Sequence, residues 1–354
     1  VSSILQETST LSYLLFRIFR CFLFLLPAES SHELGLKGLR LLHRCGLSGL
    51  LRPTLPGCPV RVFGLDFPNP VGLAAGLDKN ADYLDALGAL GFGFIEVGTV
   101  TPKAQPGNPK PRLFRLIPER ALINRMGFNN KGVEHLVKQL GERRYRGIVG
   151  VNIGKNLSTP VEQAVDDYLY CLRRVYPLAD YVVVNLSSPN TPGLRKLQFG
   201  TQLETLLQQL DAERQRLAAE HGRQVPLLVK IAPDLADEEI AAIAATFRHH
   251  AIDGVIATNT TLSRYGVENS PWQAEAGGLS GAPLSEAAGR VQASLCQALA
   301  GTIPVIAVGG IMQGEDAATR LANGASLVQL YTGFIYGGPA LLQAAVAACR
   351  LQLQ

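Results

Sequence analysis

The sequence lacks most of the signatures that would assign it quickly. Its six cysteines, Cys21, Cys45, Cys58, Cys171, Cys296 and Cys349, form no CxxC pair, and its six histidines form no HxxxH or HExxH pattern. No metal site is therefore expected, and scattered thiols in a chain this long read as buried groups of a reducing compartment. There is no Arg/Lys-rich run, and a net charge of +4 over 354 residues is too small for a dedicated nucleic-acid binder. Only 18% of residues are charged against 47% hydrophobic, which excludes disorder as the main state. The 36 glycines and 21 prolines follow no period, so collagen-like and low-complexity readings fall away, and no solenoid or propeller repeat is visible. The dinucleotide fingerprint GxGxxG is missing. Gly150 to Lys155 is one residue short of a P-loop and lacks the following Ser/Thr.

A long apolar run is also missing. Leu11 to Leu26 is apolar, but Arg17 and Arg20 interrupt it and Pro27 stops it. A membrane-spanning helix needs roughly 20 mainly apolar residues. No small-residue cleavage site follows, so a signal peptide is not expected either. A second helix is expected after this stretch, with Ser30 and Glu33 as a capping box. Leu34, Leu41, Leu42 and Cys45 fall near one face of it, and Lys37, Arg40 and Arg44 fall on another. Residues 1–58 hold six bases against three acids. Two short apolar helices with basic flanks suit a membrane interface, or simply a cap on the main domain.

After residue 59, short apolar β-branched runs alternate with helical patterns. The runs are Val71–Ala75, Phe94–Val97, Ile148–Ile153, Tyr181–Asn185, Leu227–Ile231, Gly254–Ala257, Val305–Val308 and Leu327–Leu330. Helices are expected at Asp82–Leu90, Thr201–Glu220, Glu238–His249 and Leu284–Leu299. Continuous apolar strands imply a parallel sheet covered on both faces. Eight β/α units over about 280 residues fit an α/β (β/α)8 TIM barrel. A doubly wound sheet is the alternative. Three connections are long: Thr99–Lys131, which reads as an inserted hairpin, then Ser187–Gly200 and Thr260–Pro283. Long loops in a compact domain often act as lids.

In such a barrel, function sits at the C-terminal ends of the strands. Every strand here ends in polar or glycine residues. The ends are Ala75 to Asn80, Gly98-Thr99, Asn152, Asn185 to Asn190, Lys230, Thr258 to Thr260, Gly309-Gly310 and Tyr331 to Gly333. One such Asn or Thr is an ordinary structural hydrogen bonder; all eight ends together suggest a site. Lys79 and Lys230 at a barrel mouth need an anionic or polar ligand, because an unpaired buried charge is costly. The glycines after strands seven and eight suit a phosphate, with Gly281, Gly310, Tyr331 and Thr332 as candidates.

The motifs at these positions resemble dihydroorotate dehydrogenases of class 2, the quinone-linked, membrane-associated kind. They include Gly72-Leu-Ala-Ala-Gly-Leu-Asp-Lys79, Gly91 to Thr101, Asn124-Arg-Met-Gly-Phe-Asn129 and Asn185-Leu-Ser-Ser-Pro-Asn-Thr-Pro-Gly193. Lys230 to Asp234, Ala257 to Thr260, Gly278 to Gly281 and Val308 to Ile311 continue the match, which spans roughly residues 30 to 340. The resemblance implies oxidation of (S)-dihydroorotate to orotate with FMN as first acceptor, in pyrimidine synthesis. It makes Ser188 the base, where class 1 relatives carry a cysteine, with Thr191 and Phe128 along the proton route. FMN would be held by Ala75, Gly76, Leu77, Asp78, Lys79, Thr99, Asn152, Asn185, Lys230, Thr258, Gly281, Gly310, Tyr331 and Thr332. Substrate would meet Lys79, Asn124, Arg125, Met126, Gly127, Phe128, Asn185, Asn190, Asn259 and Thr260. Residues 1–52 would form a helical membrane and quinone-tunnel segment, with His32 and Arg115 at its inner end, and 53–354 the FMN-binding barrel. With no Arg/Ser-rich transit stretch in view, the expected location is the cytoplasmic face of a bacterial inner membrane. Three other readings stay open on the residues alone. They are another FMN barrel oxidoreductase, a lyase with Lys230 forming a Schiff base, and a flavin-free binding module at a membrane.

Overall fold

The computed structural model describes residues 2–250 and 252–354. The chain opens with α1 (Ser2–Phe24) and α2 (Ala28–Arg44), then a short hairpin, β1 (Val60–Val62) and β2 (Leu65–Phe67). There follow β3 (Val71–Leu73), α3 (Leu84–Gly88), β4 (Phe94–Val100), β5 (Leu113–Leu116), β6 (Ala121–Asn124) and α4 (Val133–Glu142). Next come β7 (Ile148–Ile153), α5 (Ala164–Val175), β8 (Tyr181–Asn185), α6 (Gly200–His221), β9 (Leu227–Ile231), α7 (Asp237–His249) and β10 (Gly254–Ala257). The last elements are β11 (Gly278–Gly281), α8 (Ser285–Leu299), β12 (Val305–Val308), α9 (Gly314–Ala322), β13 (Leu327–Leu330) and α10 (Thr332–Gln352).

Eight parallel strands close into a barrel in the order β3, β4, β7, β8, β9, β10, β12, β13. The doubly wound alternative is thereby excluded. These are the eight apolar runs, and almost all their residues are buried, because helices cover the outside while side chains fill the inside. Phe94 and Tyr181 meet in the barrel interior, and Phe67, from the hairpin below, stacks edge-on against Phe94 at 5.2 Å. Two glycines make room for these rings. A Cβ on Gly72 would lie 2.4 Å from the Phe94 ring, and one on Gly150 would lie 2.0 Å from that of Tyr181. The tight packing explains why the strand pattern alternates small and large residues inside.

The expected hairpin is present as β5 and β6, antiparallel with Leu113 opposite Asn124. It gains a third strand, β11, paired with β6. The connection read as an open loop from Thr260 to Pro283 thus contributes a strand, too short and glycine-bounded to show in the sequence. α3 is shorter than expected because the Asp78 carboxylate accepts from the N–H groups of Asn80, Asp82 and Tyr83, holding that stretch as a turn.

The N-terminal helices differ from expectation in detail. α2 starts at Ala28 behind Pro27, not at Ser30; a proline there loses no hydrogen bond. Leu34 and Leu41 are exposed, and Leu36 is buried instead. Arg40 lies over the Tyr83 ring at 5.0 Å rather than in solvent. α1 packs on α10, and α2 packs on α3 and β5. α10 is long and apolar enough to cross a bilayer, but half of that stretch is buried, and it packs on α9 as the barrel's last helix.

Phe94→Ala should lower the unfolding free energy by about 3–5 kcal/mol, through lost burial and the cavity left in the barrel interior. Urea denaturation checks this, and a loss below about 1 kcal/mol would mean that Phe67 and Tyr181 collapse into the space.

Candidate active site

The polar strand ends converge on one cleft at the C-terminal rim of the barrel. Ala75, Gly76 and Lys79 reach it from β3, Thr99 from β4, Asn185, Ser188 and Asn190 from β8, and Lys230 from β9. Thr258, Asn259 and Thr260 enter from β10, Gly281 from β11, Gly310 from β12, and Tyr331 and Thr332 from β13. The hairpin supplies Asn124, Met126, Gly127 and Phe128 as one wall. Neighbouring residues alternate in direction along an extended chain. Arg125 accordingly points away from the cleft. It pairs with Glu275 at 2.5 Å and lies over the Phe114 ring.

Four other expected residues stand behind the lining. Asp78 is buried in the turn it organises. Leu77 faces a second cavity. Asn152 sits one layer down, accepting from Thr99 Oγ1 at 2.5 Å and donating to Glu96 at 2.8 Å. Thr191 is buried within the loop that carries Ser188. Several lining residues were missed by sequence reasoning, among them Gln329, Ser280 and Ile311. Gln329 carried a signal, since a lone amide inside Leu327-Val-Gln-Leu330 breaks an otherwise apolar buried strand. Ser280 carried none without its strand.

The floor is an oriented polar layer. The buried Glu96 carboxylate accepts from Asn152 Nδ2 at 2.8 Å and Gln329 Nε2 at 2.6 Å. A carboxylate accepts only, so it fixes which way both amides face. Thr99 Oγ1 in turn accepts from Asn185 Nδ2 at 2.9 Å. Asn259 Nδ2 donates to Ser187 Oγ at 3.0 Å. Ser188 Oγ accepts from the Asn190 N–H at 3.3 Å.

Several groups in the cleft await a ligand. Lys230 is buried and has no hydrogen-bond or ion-pair partner among the described residues. Burial pulls its pKa down, and the nearby Glu96 charge opposes that. Lys79 donates to the Gly76 carbonyl at 2.9 Å. Its pKa falls to about 8, through burial first and then the neighbouring Arg112 cation. Thr260 Oγ1 and Gln329 Oε1 are buried without partners. At one end, Gly310 has a φ of 70°, and a Cβ there would lie 2.1 Å from the Ser285 Cα. Its backbone therefore closes against the start of α8. The first turn of α10 has no side-chain cap, which leaves N–H groups there for an anion. A group with a polar ring and a phosphate fits this donor set.

A second cavity of about 570 Å³ lies between α1, α2 and the barrel, a volume that suits a small organic ligand. Its lining is largely leucine and phenylalanine, with His32 and Arg115 among the few polar groups. Tyr331 lines both cavities. Arg115 donates to the Phe24 carbonyl at 3.1 Å and lies over that ring at 4.1 Å.

Barrel closure, a polar cleft at the strand tips and inserted elements over it define a (β/α)8-barrel enzyme. Comparison with known proteins narrows the class. A family profile described as Dihydroorotate dehydrogenase matches residues 58–348. Dihydroorotate dehydrogenase (quinone) of Cellvibrio japonicus is 59% identical over 328 residues, 93% of this chain and 96% of that one. The protein of the same name from Azotobacter vinelandii is 57% identical over 334 residues, 94% of this chain and 96% of that one. The ligand-free crystal structure of DHODH from Eimeria tenella superposes with a TM-score of 0.81 at 40% identity, covering 90% of this chain and 93% of that one. The ferulenol complex of the Eimeria tenella protein gives 0.80 at 39%, covering 90% of each chain. The chain belongs to the dihydroorotate dehydrogenase family of oxidoreductases, in its quinone-dependent class.

The surroundings of His32 yield a pH prediction. Its pKa is pulled from 6.5 to about 4, by burial first and the Lys79 cation next, against the pull of Glu29. The folded-state value lies below the unfolded one. The stability it contributes is therefore complete above about pH 6.5 and is lost as pH falls through about 4. A ring-proton NMR titration of His32 should show a midpoint near 4. A midpoint at the ordinary histidine value would mean a water-filled cavity around the ring.

Proposed function

We propose that the cleft oxidises (S)-dihydroorotate to orotate beside bound FMN, and that the second cavity admits a membrane quinone as final acceptor. The observation that carries this is the joint convergence of Lys79, Ser188, Lys230 and Gly310 on one cleft. In this reading Gly281, Gly310 and Thr332 would hold the phosphate of FMN, and Lys230 would supply a cation to its ring. Bound FMN supplies a two-electron acceptor that can afterwards release those electrons to a quinone.

The chain's own residues do the remaining work. Asn124, Asn185, Asn190 and Asn259 offer paired donors and acceptors for a planar ring with amide and carboxylate edges. Lys79 adds a cation for the carboxylate. Ser188 Oγ takes the proton from the substrate's C5. As it does so its own hydroxyl proton is passed on, and the Asn190 N–H that it already accepts steadies the negative charge that builds on that oxygen while the hydroxyl proton departs. A serine hydroxyl is a weak base, so burial of Ser188 and closure of residues 187–200 over it matter to the step. Thr191 and Phe128 border the way out for the proton.

The second cavity reads as a quinone tunnel, with His32 and Arg115 able to bond a quinone carbonyl. Its apolar lining and its contact with the cleft through Tyr331 support this. Leu14, Leu15, Ile18, Phe19, Phe22 and Leu25 are exposed on α1 and the turn after it. That apolar surface, with the basic residues around it, supports peripheral attachment to a bilayer. The corresponding place is the cytoplasmic face of a bacterial inner membrane, with the reaction serving pyrimidine synthesis.

The purified protein should be yellow, bleach on anaerobic addition of dihydroorotate and regain colour with a quinone. Ser188→Ala should keep its flavin and bleach about 10²–10⁴-fold more slowly, the usual range for a lost general base. Stopped-flow absorbance checks both. A colourless protein would refute the cofactor, and wild-type bleaching in Ser188→Ala would remove that serine from the step.

A further inference from the structure

We propose that Arg195 is a positioning residue, a latch that holds the Ser188 loop closed over the cleft by bonding three separate barrel segments at once. The inference rests on the reading of Ser188 as the base.

The loop from Ser187 to Phe199 leaves β8 and returns through a 3-10 turn, Leu194–Gln198. Leu194 and Leu197 anchor its far end in the core. From that end the Arg195 guanidinium reaches back across the loop. Nε donates to the Ser187 carbonyl at 3.1 Å, Nη1 to Asp234 Oδ2 at 2.7 Å, and Nη2 to the Thr260 carbonyl at 2.9 Å. The first bond fixes the peptide that leads directly into Ser188. The second ties the loop to the end of β9, and the third ties it to the end of β10.

Asp234 extends the tie. It also accepts from Thr261 Oγ1, and from the Leu262 N–H at 3.1 Å. One carboxylate therefore pins the loops after both β8 and β10. Gln198 adds a parallel contact, accepting from the Ala232 N–H at 3.0 Å. The ion pair keeps side-chain exposures of 21% and 29%, so water can compete for it. A latch with that access can release to admit substrate and close again. Only a planar fork with donors in three directions makes this set, and lysine cannot replace it.

The test uses the flavin-loaded protein with Arg195→Lys, and Asp234→Asn as a second variant. Bleaching by dihydroorotate should slow on the order of ten- to hundredfold, the scale of a displacement near one ångström. Amide hydrogen exchange of residues 187–199 should quicken in the same variants. Reoxidation by quinone, flavin content and melting temperature should stay at wild-type values. Added guanidinium should restore part of the bleaching rate in Arg195→Ala. Slow bleaching without faster loop exchange, faster exchange without slow bleaching, or a matching loss of quinone reoxidation would each overturn the latch. Should dihydroorotate fail to bleach the wild type, the base assignment falls, and the exchange measurement alone decides whether Arg195 closes the loop.

Discussion

A single carboxylate inside the barrel governs how the cleft is built. Glu96 is buried on β4 and accepts from Asn152, Gln329 and the Tyr181 hydroxyl. An unsatisfied buried charge would cost several kcal/mol, so its donors cannot turn away. Their fixed orientation passes outward through Thr99 to Asn185. Asn185 Oδ1 then accepts from Ser187 Oγ at 3.2 Å, at the foot of the loop that carries Ser188. The same charge offsets part of the burial cost of Lys230. A hydrophobic residue at position 96 would pack among the neighbouring side chains, but it would leave three donors and a cation without a reference.

The inserted elements bring a second chemistry beside the first. The hairpin, extended by β11, walls the cleft on one side and meets α2 on the other. The join is polar. Arg112 donates to Glu29 at 2.9 Å, while its other nitrogen reaches the carbonyls of Pro106 and Asn108. A polar cleft and an apolar cavity thus share a wall at Tyr331. Electrostatic stabilisation favours the low-dielectric, fixed-dipole side, and an apolar ligand favours the other.

Much of this was legible in the sequence, for a definite reason. Strands covered on both faces leave continuous apolar runs, and all eight barrel strands appear as such. Their tips face a cleft, so the polar residues ending each run named most of its lining. What failed was direction and pairing. Arg125 lies within a lining motif but alternates outward to Glu275. Leu77 and Asp78 follow Gly76, whose φ of 108° turns the chain so that their side chains leave the cleft. β11 exists only because β6 offers it an edge, a tertiary fact with no local signal. The start of α2 was misplaced because a serine three residues before a glutamate imitates a cap that Pro27 had already made unnecessary.

The helical pair also bears on the electrostatics of the cleft. Lys79 lies within the field of Arg112, which lowers its pKa, and of Glu29, which raises it. Glu29 belongs to α2, and its own carboxyl is held low by Arg112 and Lys110 against the desolvation that would raise it. Docking of α2 therefore brings a compensating negative charge near Lys79 and Arg112 and removes water from them in the same act. The two effects on Lys79 oppose each other. Undocking would strip the favourable charge but rehydrate the ammonium, and of the influences on Lys79 burial is the largest.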